Sequence, residues 1–228
     1  MMFNGIYRDK KVLITGHTGF KGSWLALWLS QLGATVSGYS LEPPTSPNHF
    51  QLLNLEINSF IGDIRDVDSL KKIFKDQRPE IVFHLAAQAI VRLSYRNPLE
   101  TFASNVMGTV NVLEAARTCN TIRAIVIVTS DKCYENQEWP WGYRENDSLG
   151  GYDPYSASKG CAEIVTSCWR NSFFNPQNYG NTHQTLLASA RAGNVIGGGD
   201  WAVDRLIPDI MRAVNQNEKV QIRNPHAT

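Results

Sequence analysis

Two short runs in this sequence carry residue types at spacings that do chemistry. In Tyr155-Ser156-Ala157-Ser158-Lys159 a phenol and an amine stand four residues apart, which places them on one face of a helix. A free phenol titrates near ~10 and is a poor base at neutral pH. An ammonium one turn away favours the phenolate, and the positive ring of an oxidised nicotinamide adds to the effect. The phenolate can then take the proton of an alcohol while the alcohol's hydride leaves for that ring. The second run is Thr15-Gly16-His17-Thr18-Gly19-Phe20-Lys21-Gly22, a GxxGxxG one residue wider at the front than the GxGxxG of many dinucleotide binders. Such glycines allow a tight turn, a Cβ-free approach of backbone to a pyrophosphate, and close helix–strand packing, with the phosphates on a helix N-terminus. Each run alone is weak: YxxxK arises by chance in helices, and the glycines suit an ordinary βα turn. Their order along the chain joins them into one reading, dinucleotide-dependent chemistry on an alcohol.

Positioning these runs takes a sheet flanked by helices. The apolar run Lys11–Gly16 predicts a buried strand, and Ser23–Gln31 a helix whose apolar stripe is Trp24, Leu25, Leu27, Trp28 and Leu32, stopped by Gly33. Further strands are expected at Ala34–Ser40, Ser59–Ile64, Glu80–Ala87, Arg123–Thr129 and Gln184–Arg191, with another starting just before Arg223. Helices are expected at Val67–Lys75, Pro98–Thr118, Pro154–Trp169 and Leu206–Val214. Residues 41–50 and 135–151 read as loops, and Gly197-Gly198-Gly199 as a flexible spacer. Strands alternating with helices at this spacing imply an α/β fold, a doubly wound parallel sheet with right-handed crossovers.

Composition narrows the classes. A length of 228 residues suits one large domain, or one domain plus part of another. With 43% apolar and 19% charged residues the chain has ample core for a soluble globular protein. Basic residues number 22 and acidic residues 21, a formal charge of +1, so the electrostatic footprint of a nucleic-acid binder is missing. No apolar run reaches membrane-spanning length, and the N-terminal residues lack a signal-peptide pattern. Cys119, Cys133, Cys161 and Cys168 form no CxxC pair and no metal-like cluster with the five histidines. They read as reduced thiols of a cytoplasmic protein, and no metal is expected.

Cofactor choice is read at the end of the second strand, where an acid commonly holds the ribose hydroxyls. Ser40 stands there, with no arginine nearby, which favours NAD; Lys21 could approach a 2′-phosphate, so NADP stays open. Asp63 suits a hydrogen bond from an adenine amino group and equally suits a helix cap for the segment that follows.

The segments TGHTGFKG (15–22), GDIRD (62–66), HLAAQ (84–88), TSDK (129–132), YSASK (155–159) and RAGNVIGGGDW (191–201) cover nearly the whole chain. Together they resemble the extended short-chain dehydrogenase/reductase family, particularly its nucleotide-sugar 4,6-dehydratases, and within them the branch acting on CDP-glucose. That last step leans on Asp131-Lys132 and on GHTGFKGSWL. The resemblance implies an NAD-binding Rossmann-like domain over residues 1–190 and the start of a substrate-binding region over 191–228. Family members are substantially longer, so that region reads as truncated. The implied cofactor-lining residues are Gly16, Thr18, Gly19, Phe20, Gly22, Ser40, Asp63, Ile64, Leu85, Ala86, Ala87 and Gln88, with Tyr155 and Lys159. Ser130 takes the hydroxyl position beside the sugar O4, and Asn194 the position facing the substrate diphosphate. Arg205 resembles a substrate-loop residue, though surface solvation explains a lone arginine equally well.

The implied reaction is a dehydration in three steps: oxidation at C4, loss of water across C5 and C6, and return of the hydride to C6. Elimination needs an acid and a base that a plain dehydrogenase lacks. Asp131 and Lys132 are the candidates, the alternative being a surface ion pair at a strand end. An epimerase or reductase of the same family, or an NAD-binding fragment without turnover, are the rival readings. The family also implies a homodimer or higher homo-oligomer through helices around 98–118 and 154–169. Cys161, Ala162, Val165 and Trp169 recur near helical spacing there, although burial within one chain explains them as well.

Overall fold

The computed structural model of the chain describes residues 2–222. Six strands form one parallel sheet: β1 (Lys11–Thr15), β2 (Thr35–Ser40), β3 (Asn58–Ile61), β4 (Ile81–His84), β5 (Ala124–Val128) and β6 (Leu186–Ala190). Their spatial order is β3-β2-β1-β4-β5-β6, so the chain reverses direction across the sheet between β1 and β4. That reversal opens the crevice at the carboxyl ends of the strands where doubly wound folds bind ligands. The eight helices among the described residues are α1 (Phe20–Gln31), α2 (His49–Leu53), α3 (Val67–Gln77), α4 (Val91–Arg96), α5 (Pro98–Phe102), α6 (Gly108–Arg117), α7 (Pro154–Ser172) and α8 (Leu206–Asn215).

Alternation along β1 builds two cores at once. Leu13 faces a large cluster with Leu70 and Phe74 of α3, Val112 and Leu113 of α6, and Ile125 and Ile127 of β5. Val12 and Ile14 face the opposite side, where Ala26 and Leu29 of α1 close a smaller cluster with Val36. On that second side β6 is poorly covered: Leu186, Ala188 and Ala190 are exposed.

Several expectations change on this frame. α1 starts three residues earlier than expected, and its buried face is Gly22, Ser23, Ala26 and Leu29 rather than the tryptophan stripe. Trp24 and Trp28 are 43% and 45% exposed. Small residues win because the helix lies close over its own glycine turn, and a Cβ on Gly22 would collide with the Gly16 carbonyl. The loop expected at 41–50 ends in the short α2, capped by Asn48. α4 was not expected at all. The long helix over Pro98–Thr118 is α5 and α6 joined through a π turn at Ala103–Met107. No strand forms in the described residues just before Arg223, and Arg223–Thr228 lie outside them. Ala162, Val165 and Trp169 serve this chain's own core, leaving Ile164 and Cys168 on the outer side of α7.

Candidate active site

The glycine turn is built as the spacing asks. Gly16 sits at φ +80°, and a Cβ there would come within 2.7 Å of the Ala86 backbone nitrogen. The turn therefore lies directly against the end of β4. Gly19 is the N-cap of α1 and supplies no side chain to the first-turn amides. Those amides stay available to an anion, and the helix dipole favours one there. Thr18 donates to the Leu41 carbonyl at 2.9 Å and lies 2.8 Å from Ser40 Oγ, so Ser40 keeps an acceptor lone pair for a ribose hydroxyl. A cradle that any Cβ would fill, open amides and a polar pair at the tip of β2 fit a dinucleotide.

The residues after β3 and β4 divide between site and scaffold. The Asp63 carboxylate is held by Arg65, at 2.5 Å from Nη2, which keeps its pKa below the usual carboxylate range. It does not cap the next helix; Asp66 does, accepting from the Asp68 and Ser69 amides. Ile64 turns its side chain into the large core against Gly108, and Asn111 takes its carbonyl. The Leu85 and Ala86 amides are bound to Thr15, so this pair with Ala87 forms the floor beside the glycine turn. Gln88 is a strut: its backbone pairs with Asn105, and its side chain bridges Thr101 and the Ile90 amide.

α7 brings the chemistry to the carboxyl edge of the sheet. Asp153 caps it and Pro154 stands at its first turn. Tyr155 is 8% exposed and Lys159 is 6% exposed. The Lys159 ammonium reaches the Val128 carbonyl at 3.4 Å. Burial pulls its pKa down to about 8, helped by the charge of Lys21 and opposed by Glu163 and Cys133. Burial pushes the Tyr155 phenol up; hydrogen bonding with Ser130 works against this, and Asp131 adds to it.

Ser130, Asp131 and Lys132 follow β5 as a single 3₁₀ turn, Asp131–Cys133, capped by Ser130. Ser130 Oγ donates to Asp131 Oδ1 at 2.9 Å, and no ion pair joins Asp131 to Lys132. The surface-pair reading of these two residues is thereby corrected. Asp131 also feels Lys21, which burial and the charge of Arg205 hold below its ordinary pKa. Lys21 is thus within electrostatic range of Asp131, Arg205 and Lys159. Arg205 is no lone surface arginine; it pairs with Asp200 at 2.9 Å. Asn194 lies exposed beyond β6.

Two features of the site were not expected. The Gly197–Gly199 run is tied down: Trp24 Nε1 donates to the Gly198 carbonyl at 2.9 Å, and Gly199, at φ +85°, lies against His49. The His49 ring stacks on Trp24 with centroids 4.4 Å apart. Behind the site, buried Glu163 pairs with partly buried Arg191 at 2.9 Å. This pair was missed from sequence; its one available signal is a glutamate one further turn beyond Lys159 on the same helix face.

The class follows from where the pair sits. A buried tyrosine–lysine face at the carboxyl edge of a six-stranded dinucleotide-binding sheet is the arrangement of the extended short-chain dehydrogenases/reductases. One family in that class, described as GDP-mannose 4,6 dehydratase, matches residues 13–222, and the chain belongs to it. Over its whole length the chain is 58% identical to CDP-glucose 4,6-dehydratase from Salmonella typhimurium strain LT2, of which it spans 64%. Among solved structures it is similar to the epimerase Mth375 of Methanothermobacter thermautotrophicus, at 28% identity and TM-score 0.79, covering 95% of this chain and 61% of that one. It is also similar to MoeE5 in complex with UDP-glucose and NAD, at 25% identity and TM-score 0.73, covering 89% and 60%. The chain therefore spans under two thirds of these relatives.

Proposed function

We propose that this chain is the cofactor and catalytic part of an NAD-dependent hydro-lyase that converts CDP-glucose to CDP-4-keto-6-deoxyglucose and water. The observation that carries the reading is the Ser130-Asp131-Lys132 turn beside Tyr155, a carboxyl and an amine where a plain dehydrogenase needs neither. Residues 191–228 are the start of the substrate region in this reading, with Asn194 and Arg205 toward the nucleotide diphosphate. The unpaired Cys119, Cys133, Cys161 and Cys168 support a cytoplasmic setting. Exposed Leu99, Phe102, Met107 and Ile164 on the α5–α7 side suit a homodimer.

Gly16, Gly19 and Gly22 with the first-turn amides of α1 would hold the pyrophosphate, and Thr18 and Ser40 the adenosine ribose. Phe20, Asp63, Ile64, Leu85, Ala86, Ala87 and Gln88 would line the rest. NAD rather than NADP is supported by the neutral Ser40 and by the commitment of Arg65 to Asp63. When bound, NAD supplies a reversible acceptor for the C4 hydride, which returns to C6, so nothing is consumed.

The chain's own groups move the protons. Tyr155 takes the O4 proton, its phenolate favoured by the Lys159 ammonium, and Ser130 orients O4. The C4 ketone acidifies C5, whose proton Lys132 removes. Asp131 gives a proton to the C6 hydroxyl as it leaves as water, and Lys132 returns its proton to C5 as C6 receives the hydride, which completes the product. The test is mass spectrometry of products from CDP-, dTDP-, GDP- and UDP-glucose with the full-length protein and NAD. Loss of one water from CDP-glucose in preference to the others is expected. A product of unchanged mass would make it an epimerase, and no product from any of the four would overturn the reading.

A further inference from the structure

Glu163 is 4% exposed and carries no part in the steps above, yet three donors converge on its carboxylate. Thr129 Oγ1 donates to Oε1, and Ser189 Oγ and Arg191 Nη2 donate to Oε2 at 2.7 and 2.9 Å. These donors come from the last turn of the sheet: Thr129 follows β5 immediately before Ser130, and Ser189 and Arg191 lie at the end of β6. Glu163 itself is on the Tyr155–Lys159 face of α7, each residue one turn beyond the last. Arg191 passes the connection outward to the Tyr134 hydroxyl at 2.7 Å and the Glu145 carbonyl at 3.1 Å, with its guanidinium over the Tyr134 ring.

We propose that Glu163 is a positioning residue: it fixes the Thr129–Ser130 corner against α7 and supplies the buried negative charge opposite Lys159. The inference rests on the proposed tyrosine–lysine chemistry for its purpose, though not for its test. Two opposing effects decide the carboxylate's state. Burial works to raise its pKa, and the hydrogen bonds from Arg191, Thr129 and Ser189 outweigh that and bring it below the ordinary value. It is therefore ionised at neutral pH. Around Lys159 the charged and titratable groups are Lys21 from α1, Cys133 from the 3₁₀ turn, His84 from β4 and Tyr155 and Glu163 from α7. The Cys133 thiol is pushed up to about 11 by burial and stays neutral. Burial and the Lys159 charge bring His84 down to about 3, which keeps it neutral too. Glu163 is thus the sole fixed anion among them.

The test is the titration of Lys159 followed by NMR of ¹³Cε-lysine in the chain without cofactor, assigned with Lys159→Met. Wild type should titrate near the expected value of about 8, and Glu163→Gln should lower the midpoint by about one unit. Should Glu163→Gln fail to fold with Arg191 unpaired, the double variant Glu163→Gln/Arg191→Met removes both charges, and the midpoint should still fall, by less, because the anion lies nearer Lys159 on the same helix face than the cation that leaves with it. In the full-length enzyme, Thr129→Val should lower kcat ~10-fold or more at unchanged KM, because a small displacement of Ser130 is felt in the chemical step. An unshifted Lys159 midpoint in a folded Glu163 variant, or wild-type kcat in Thr129→Val, overturns the proposal. Absence of turnover in wild type would instead sink the functional reading and leave the titration standing.

Discussion

Burial pulls the Lys159 ammonium down to about 8, which sets its proposed part in catalysis against its effect on stability as pH rises. In the proposed reaction it favours the Tyr155 phenolate only below about pH 8, so turnover should fall as pH rises through that value. For stability the sign is opposite. Between about 8 and its ordinary 10.5 the unfolded chain holds a proton that the native chain has released, so stability from this group rises with pH. Denaturant midpoints between pH 8 and 10 should therefore climb more steeply in wild type than in Lys159→Met. Tyr155→Phe removes the proposed base and should abolish all product. Lys132→Ala spares the oxidation and should slow dehydration ~100- to 10,000-fold with cofactor affinity unchanged, read by product formation and by equilibrium titration of NAD. Dehydration at the wild-type rate would make Lys132 a bystander.

The π turn at Ala103–Met107 is the element whose purpose is clearest from its contacts. Its extra residue aims Asn105, 1% exposed, into the groove between the β4 loop and α7. There Asn105 accepts from the Gln88 amide, donates to the Gln88 carbonyl and donates to Ser158 Oγ, at 2.8, 3.0 and 2.9 Å. Asn105→Ala leaves the half-buried Gln88 amide and carbonyl without this partner, while Ser158 keeps its bond to the Tyr155 carbonyl, and should cost about 2 kcal/mol, measured by urea unfolding. None of this was legible beforehand, since a π turn has no pattern distinct from the α-helix around it. The parallel strands and α7 were legible because continuous β-branched runs and a capped YxxxK helix have few other solutions. α1 misled for a physical reason: in a helix pressed onto a turn, steric closeness outranks hydrophobicity, so Gly22 and Ala26 go inside and Trp24 stays out. The Glu163–Arg191 pair joins residues 28 apart on different elements, and only the sheet order brings them together.

Across the whole molecule, burial of two neutral imidazoles, His84 and His17, contributes to acid sensitivity. Burial lowers His84 to about 3, with Lys159 adding to it, and lowers His17 to about 4. Below the ordinary 6.5 the unfolded chain takes up protons the native chain refuses, so stability is lost as pH falls from 6.5 toward 3. The thermal midpoint should drop through that window, and less so in His84→Gln; equal acid sensitivity in both would place the cause elsewhere. The strand order has a different consequence, for the chain as it leaves the ribosome. β1 gains β2 early, but its other neighbour is β4, made after β3 and α3 have already been synthesised. Until residues 81–84 emerge, the strand that carries the glycine turn is an open edge with Val12, Leu13 and Ile14 only half covered. A nascent chain paused before that point presents β1 as an open edge, a template for strand addition by other polypeptides that β4 closes once it is made.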